Sequence, residues 1–324
     1  MTAAVATRSR RERSGLRPVN PRRDMRAIAE LIETAFTGQL DDDGLRMIRW
    51  MKLLGRARWI GWMISFYLLP PAARPMGFVW ESDGRVVGNS SLLPVEGHRD
   101  RWVLVNMAVH PEYRRRGIAR ELVRASMAFV RQRGGRRLLL QVDVDSHGAQ
   151  DLYTSTGFKP IATRTTWIGR GDRLRFGEME TGLTRRRARD EWEEQWLLVR
   201  RVHPEGIVWP YPPAKSLFQP RGLADVVGLG PGRHWVWSEQ GSLLASLTAR
   251  WGSDLGAWRL YMVVTPEARE RVERSILAFA LTDLPIRGDR IILEYPYGVA
   301  GSQLRELGFY ARRNLTWMMH EFKD

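Results

Sequence analysis

Apolar and polar positions alternate with two different periods along this chain, and the switches between them mark out its elements. Met76 to Glu81 and Arg85 to Leu93 alternate around Ser82, Asp83 and Gly84, the pattern of a β-hairpin. Val103 to Val109 reads as the next strand, and Ile118, Leu122, Ala125 and Phe129 then recur at helical spacing. Arg136 to Asp143 (RRLLLQVD) is a further apolar strand. Alternation along RRLLLQVDVD sets Gln141, Asp143 and Asp145 on one face, with Val142 and Val144 on the other. Nearer the start, Leu16 to Val19 predicts an opening strand. Asp24 then caps a helix with Ile28, Leu31, Ile32 and Phe36 on one apolar face, and a second helix fits Asp41 to Leu54.

Between the strand ending at Val109 and the helix beginning near Gly117 or Ile118 lies NMAVHPEYRRRGIAR, residues 106–120. The first N–H groups of a helix have no intrahelical acceptor, and the dipole adds positive potential there, so such a loop favours phosphate. Gly117 has no Cβ to hold the backbone away from an anion, and Arg114, Arg115 and Arg116 add charge.

Arg114, Gly117 and Ala119 fall on the three defining positions of the R/Q-x-x-G-x-G/A signature of the GNAT superfamily of N-acetyltransferases, which this segment resembles. Further on, AQDLYTSTGF from Ala149 to Phe158 resembles that family's A-x-x-L-Y-x-x-x-G-F helix and turn. The resemblance implies a mixed, twisted sheet splayed open between its fourth and fifth strands, with acetyl-CoA (coenzyme A) in the cleft. It implies pyrophosphate on Arg114 through Ala119, Ile118 included, and pantetheine along the backbone of Met107, Ala108 and Val109. Tyr153 stands where many members present a tyrosine to the coenzyme sulfur. Ser146 replaces a common asparagine and has a shorter reach toward a coenzyme carbonyl. The general base stays open among His110, Asp143, Asp145 and Glu81, with Asp143 preferred.

The second half reads as a worn copy of the first. Trp80 in FVWESDGRVVG has a counterpart in Trp237 of WVWSEQGSLLA, and YMVVTPEARERVERSIL from Tyr261 to Leu277 echoes NMAVHPEYRRRGIAREL. Asp289 to Tyr295 stands for the fifth strand, and Gly308 and Phe309 repeat Gly157 and Phe158. The chemistry is missing from the copy: Gly117 becomes Val272, Ala119 becomes Arg274, and Tyr153 becomes Leu304. The expected fold class is therefore α+β (mixed α/β), two tandem GNAT-like domains, each a mostly antiparallel sheet flanked by helices. Residues 1–170 form the catalytic domain, with 1–15 a disordered basic arm, and 171–324 the degenerate one. The boundary falls in the polar stretch from Arg170 to Arg186.

Composition narrows the chemistry. With no cysteine there is no thiolate metal site and no catalytic thiol, and the six histidines show no paired ligand spacing, so no metal is expected. The net charge is +15, and only four basic residues are lysine. This arginine excess suits acidic partners or simply reflects genome composition. No signal-like apolar core precedes the fold, and Trp59 to Leu69 is too short to cross a bilayer, so the expectation is a cytoplasmic protein with no membrane association. The expected function is acetyl-CoA-dependent N-acetyl transfer, directly, to a primary amine on a small molecule or peptide. An acyl-CoA sensor or scaffold is the alternative, and a nucleic-acid-binding role for the basic arm is less favoured because no aromatics interleave its arginines. Oligomeric state is not legible.

Overall fold

The structure, a computed structural model, describes residues 14–38, 42–56, 76–95, 98–175, 183–203, 215–220, 232–252 and 256–323. The basic arm up to residue 13 and the apolar run from Trp59 to Leu69 lie outside them. Two compact units divide the chain. The first gathers Met1–Leu140, His147–Lys159 and Met318–Asp324; the second gathers Gln141–Ser146 and Pro160–Trp317.

In the first unit, β1 (Gly15–Pro18), β2 (Gly77–Ser82), β3 (Arg85–Val95) and β4 (His98–Val109) pair antiparallel in sequence order, and β5 (Arg137–Asp143) joins β4 in parallel. Helix α1 (Pro21–Ala35) covers one face with Ile28, Leu31 and Ile32, packed with Val79 and Ala108. Helix α3 (Ile118–Gln132), which follows α2 (Asp42–Arg56) in the chain, covers the other with Ile118 and Leu122, against Val87, Phe78 and Trp80. The period of two explains this split: Val79 points one way and its neighbours Phe78 and Trp80 the other. Leu122 is fully buried, a transfer favouring the folded state by about 2 kcal/mol. Asp83 and Gly84 both have positive φ (51° and 79°), as a tight hairpin turn demands.

Two expectations are corrected here. Helix α1 starts at Pro21, capped by Asn20, whose side chain accepts from the Arg22 amide. Proline is preorganised for the first helical position, so the Asn-Pro pair outcompetes Asp24 as the start signal. Asp24 lies inside the first turn, 2% exposed, bound by Arg17 at 2.6 Å and by the Asn20 amide at 2.7 Å. The fifth strand ends at Asp143, and Asp145 is in a turn whose amide donates to Asp143 Oδ1 at 2.9 Å. Asp143 and Asp145 thus share no strand face, because a local side-chain turn competes successfully with strand extension.

The second unit repeats the order. β8 (Arg233–Glu239), β9 (Ser242–Gly252) and β10 (Ala257–Val264) pair antiparallel, and β11 (Arg290–Pro296) joins β10 in parallel over four residue pairs, as β5 joins β4. Helix α6 (Glu273–Asp283) covers one face and α5 (Trp192–Val202) the other. Even a bulge recurs, after Trp80 in β2 and after Trp237 in β8. The polar stretch expected to be only a boundary ends in a strand, β7 (Thr184–Arg186), paired with β8. β6 (Lys159–Arg170) pairs antiparallel with β11. β12 (Tyr310–Glu321) gives its first residues to the second unit, where Asn314 accepts from Thr165, and its last to the first.

Candidate active site

β4 is bent where an open edge begins. Its register against β3 slips between Asn89 and Ser91, and Asn106 takes a left-handed backbone, φ 52°. Such a bulge kinks and twists a strand. The fully buried Asn89 fixes it by donating Nδ2–H to the Asn106 carbonyl at 2.8 Å. β4 pairs with β5 only from Arg101 to Leu104, against Arg137 to Leu140. Beyond Leu104, no strand among the described residues pairs with the β5-facing edge of β4 along Met107, Ala108 and Val109, while Ala108 and Val109 pair with Asn89 and Gly88 of β3 on its other edge.

Past the strand, Pro111–Tyr113 makes one 3₁₀ turn, which uses the amides of Tyr113 and Arg114. Arg115 (φ 64°) and Gly117 (φ 81°) are then left-handed, with Gly117 as the N-cap of α3. Left-handed residues in a loop turn successive amides toward one side, which makes an anion nest. The next amide with a carbonyl acceptor is that of Glu121, bonded to Gly117 at 3.2 Å. From Arg115 to Arg120, no amide donates to a protein group among the described residues. Beyond its chain neighbours, no atom of the described residues lies within 4 Å of where a Cβ on Gly117 would sit. The glycine is therefore required by its φ, and the space before it stands open.

The three arginines have different jobs. Arg114 turns back, donating from Nε to the Val109 carbonyl (3.3 Å) and from Nη2 to the Ala35 carbonyl (3.1 Å), so it ties loop to strand and α1. Arg116 donates to the Glu112 carbonyl and lies over the Tyr113 ring. Arg115 is exposed and its guanidinium has no partner among the described residues. Behind the loop, Ile118 is buried and Ala119 half-buried.

Tyr153 is the buried residue of α4 (His147–Ser155), 6% exposed. Its ring meets Phe158 edge-on at 5.9 Å, and burial pushes its phenol up to about 12. The hydroxyl makes no hydrogen bond within the described residues and holds its proton throughout the physiological range. Asp143 and Ser146 fall in the second unit by compactness. Ser146 is exposed, its amide bonded to the Asp143 carbonyl. The other base candidates are placed as follows. Glu81 is held by Arg17 and Arg23 in an ion-pair network with Asp24. His110 packs against Tyr113. Its Nδ1 is buried and without a hydrogen-bond partner among the described residues. Reading the sequence missed Asn89, Asn106 and His320, the last of which contacts Gly157 behind Tyr153. A polar residue inside an apolar strand was the available signal for Asn89.

In the second unit the corresponding loop is filled from within. Glu270 keeps the left-handed backbone of Arg115 (φ 62° against 64°), but Val272, in place of Gly117, has φ −109°. The register of β10 on β9 is unbroken, so the bulge of Asn106 is absent. Glu273 is fully buried and accepts from the Tyr295 hydroxyl at 2.8 Å. The Arg274 amide, first in line for an anion, donates to Gln303 Oε1 at 3.1 Å, and Gln303 Nε2 donates to the Glu270 carbonyl.

Residues 27–158 match the sequence model of the acetyltransferase (GNAT) family. A Bacillus subtilis (strain 168) protein described as a ribosomal protein bS18-alanine N-acetyltransferase is 33% identical over 89 residues, 28% of this chain and 57% of that protein. Human N-acetyltransferase 8 is 38% identical over 85 residues, 25% of this chain and 37% of its own. The match thus spans little more than half the length of these GNAT relatives or less. Among solved structures, a GCN5-related N-acetyltransferase from Sphaerobacter thermophilus aligns over 96% of both chains at a TM-score of 0.62 and 14% identity. A tandem GNAT protein from the clavulanic acid biosynthesis pathway aligns over 96% of this chain and 100% of its own at 0.50 and 18%. These two alignments span both units and show a shared fold. No group of side chains among the described residues could hold a metal ion, and no helix among them is long and apolar enough to cross a membrane.

Proposed function

We propose that this protein is an acetyl-CoA-dependent N-acetyltransferase that moves the acetyl group directly to a primary amine, with its coenzyme site in the first unit. One observation carries the reading: the amides of Arg115 to Arg120 have no protein acceptor among the described residues and stand before open space at Gly117. Those donors fit a diphosphate, with Arg115 free to add charge. The backbone of Met107, Ala108 and Val109 would lie along the pantetheine. Bound there, acetyl-CoA supplies an activated thioester. A main-chain N–H aimed at the developing oxyanion lowers the barrier, and losing one typically costs ~3 kcal/mol. Tyr153 would hold a proton at Oη for the departing sulfur.

The Bacillus subtilis relative, described by an alanine of a ribosomal protein, makes alanine-bearing peptides one acceptor class to test. Isotope-labelled acetyl transfer should be measured to small amines, a lysine peptide and a peptide beginning with alanine, alongside calorimetry with acetyl-CoA. Tight binding that is abolished in Gly117→Trp, together with transfer to one acceptor class, is expected. Binding without transfer to any amine would favour the sensor reading, and unchanged binding in the variant would refute the site.

A further inference from the structure

The turn that follows Tyr153 is braced from the far end of the sequence. Gly157 has φ 90°; its amide donates to the Thr154 carbonyl and that of Phe158 to the Tyr153 carbonyl, both at 3.0 Å. The Gly157 carbonyl in turn faces His320, whose Nδ1 lies 3.0 Å away. A carbonyl can only accept, so Nδ1 carries the hydrogen. The imidazole also lies 5.6 Å from the Phe158 ring and 4.8 Å from that of Phe322. Phe158 meets Tyr153, so imidazole, phenyl and phenol form one packed series. The segment bearing His320 is fixed to the same unit by Glu321 on Arg137 at 3.0 Å and by the Phe322 amide on the Arg136 carbonyl at 3.0 Å.

The second unit offers an internal control. Counting from the matched glycines Gly157 and Gly308, His320 corresponds to Gly169, which lies against the ring of Phe309 and brings no side chain. Leu304 stands there in place of Tyr153. The imidazole brace occurs where the phenol occurs and is missing where the phenol is missing.

We infer that His320 is a positioning residue: by donating Nδ1–H to the Gly157 carbonyl it fixes the turn that sets the Tyr153 hydroxyl. The inference rests on the reading of Tyr153 as the proton donor. His320→Leu keeps the bulk and removes the donor, while His320→Asn returns an N–H close to the position of Nδ1. In acetyl transfer, His320→Leu should lower kcat about 10- to 100-fold, as a small misplacement of a reacting group does, with KM for acetyl-CoA unchanged, and His320→Asn should recover most of the loss. Hydrogen exchange should quicken over residues 147–158 in His320→Leu, return to wild-type rates in His320→Asn, and stay unchanged over residues 118–132 in both. Equal exchange in wild type and His320→Leu, or an asparagine variant no better than leucine, would overturn the inference. Should the wild type transfer no acetyl group, the functional reading fails on its own, and the exchange rates still decide whether His320 holds the turn.

Discussion

Burial of Tyr153 decides what its hydroxyl can do. Desolvation penalises the phenolate and pushes the group up to about 12, from an ordinary value of 10.0. The proton is bound more tightly in the folded state, so the stability linked to this group is complete below pH 10 and declines as pH rises toward 12. Catalysis should follow the same sign: kcat is expected to rise with amine deprotonation and to show no falling limb near pH 10. A limb at that pH would mean that some other, exposed acid protonates the leaving group. Tyr153→Phe should lower kcat about 10²- to 10⁴-fold, the usual range for a lost general acid, with calorimetric affinity for acetyl-CoA preserved. At Gly117 the expected effect is on stability. Gly117→Ala forces an alanine to φ 81° and should cost about 1–2 kcal/mol in urea unfolding, even though its methyl meets no atom of the described residues beyond its chain neighbours.

The bulge in β4 is the element that opens the site, and a single buried side chain holds it. Asn89→Ala removes the bond to the Asn106 carbonyl. It should cost about 1–3 kcal/mol, the penalty for a buried group left unsatisfied, and should weaken acetyl-CoA binding by calorimetry as the strand straightens. Equal affinity would show that the bulge does not shape the cleft. Here the sequence was only partly legible. The strands and helices announce themselves through periods of two and 3.6, and RRRGIA displays its geometry because a helix start and a φ-demanding glycine are local features. The bulge is a one-residue displacement that leaves the apolar alternation of β4 looking intact. Glu273 likewise looks like a surface acid at a helix start until Tyr295, which is distant in sequence, is seen to donate to it. His320 lies among apolar strand residues, and nothing local reveals which turn it will meet.

At the scale of the whole molecule, titration and connectivity set the limits of stability. His203 and His234, both in the second unit, are held neutral, down to about 3, by burial first and then by Arg164 and Arg269 for one and Arg187 for the other. The unfolded chain binds their protons near pH 6.5, so the second unit should lose stability as pH falls from that value toward 3. Urea unfolding at pH 7 and pH 5 tests this, and His234→Gln should flatten the dependence. Asp24 adds to the same trend in the first unit: burial opposes its charge, but the Arg17 hydrogen bonds and the Asn20 amide outweigh burial and hold it below the usual carboxylate range. Connectivity matters because the first unit takes in Met318–Asp324. A fragment stopped at Arg170 lacks that segment, leaves an edge of β5 exposed, and should aggregate where the full chain stays monodisperse in light scattering.

The self-filled loop of the second unit fixes a stoichiometry. With Gln303 already accepting from the Arg274 amide that an incoming diphosphate would need bare, saturating titration should consume one equivalent of coenzyme per polypeptide, although the chain carries the fold twice.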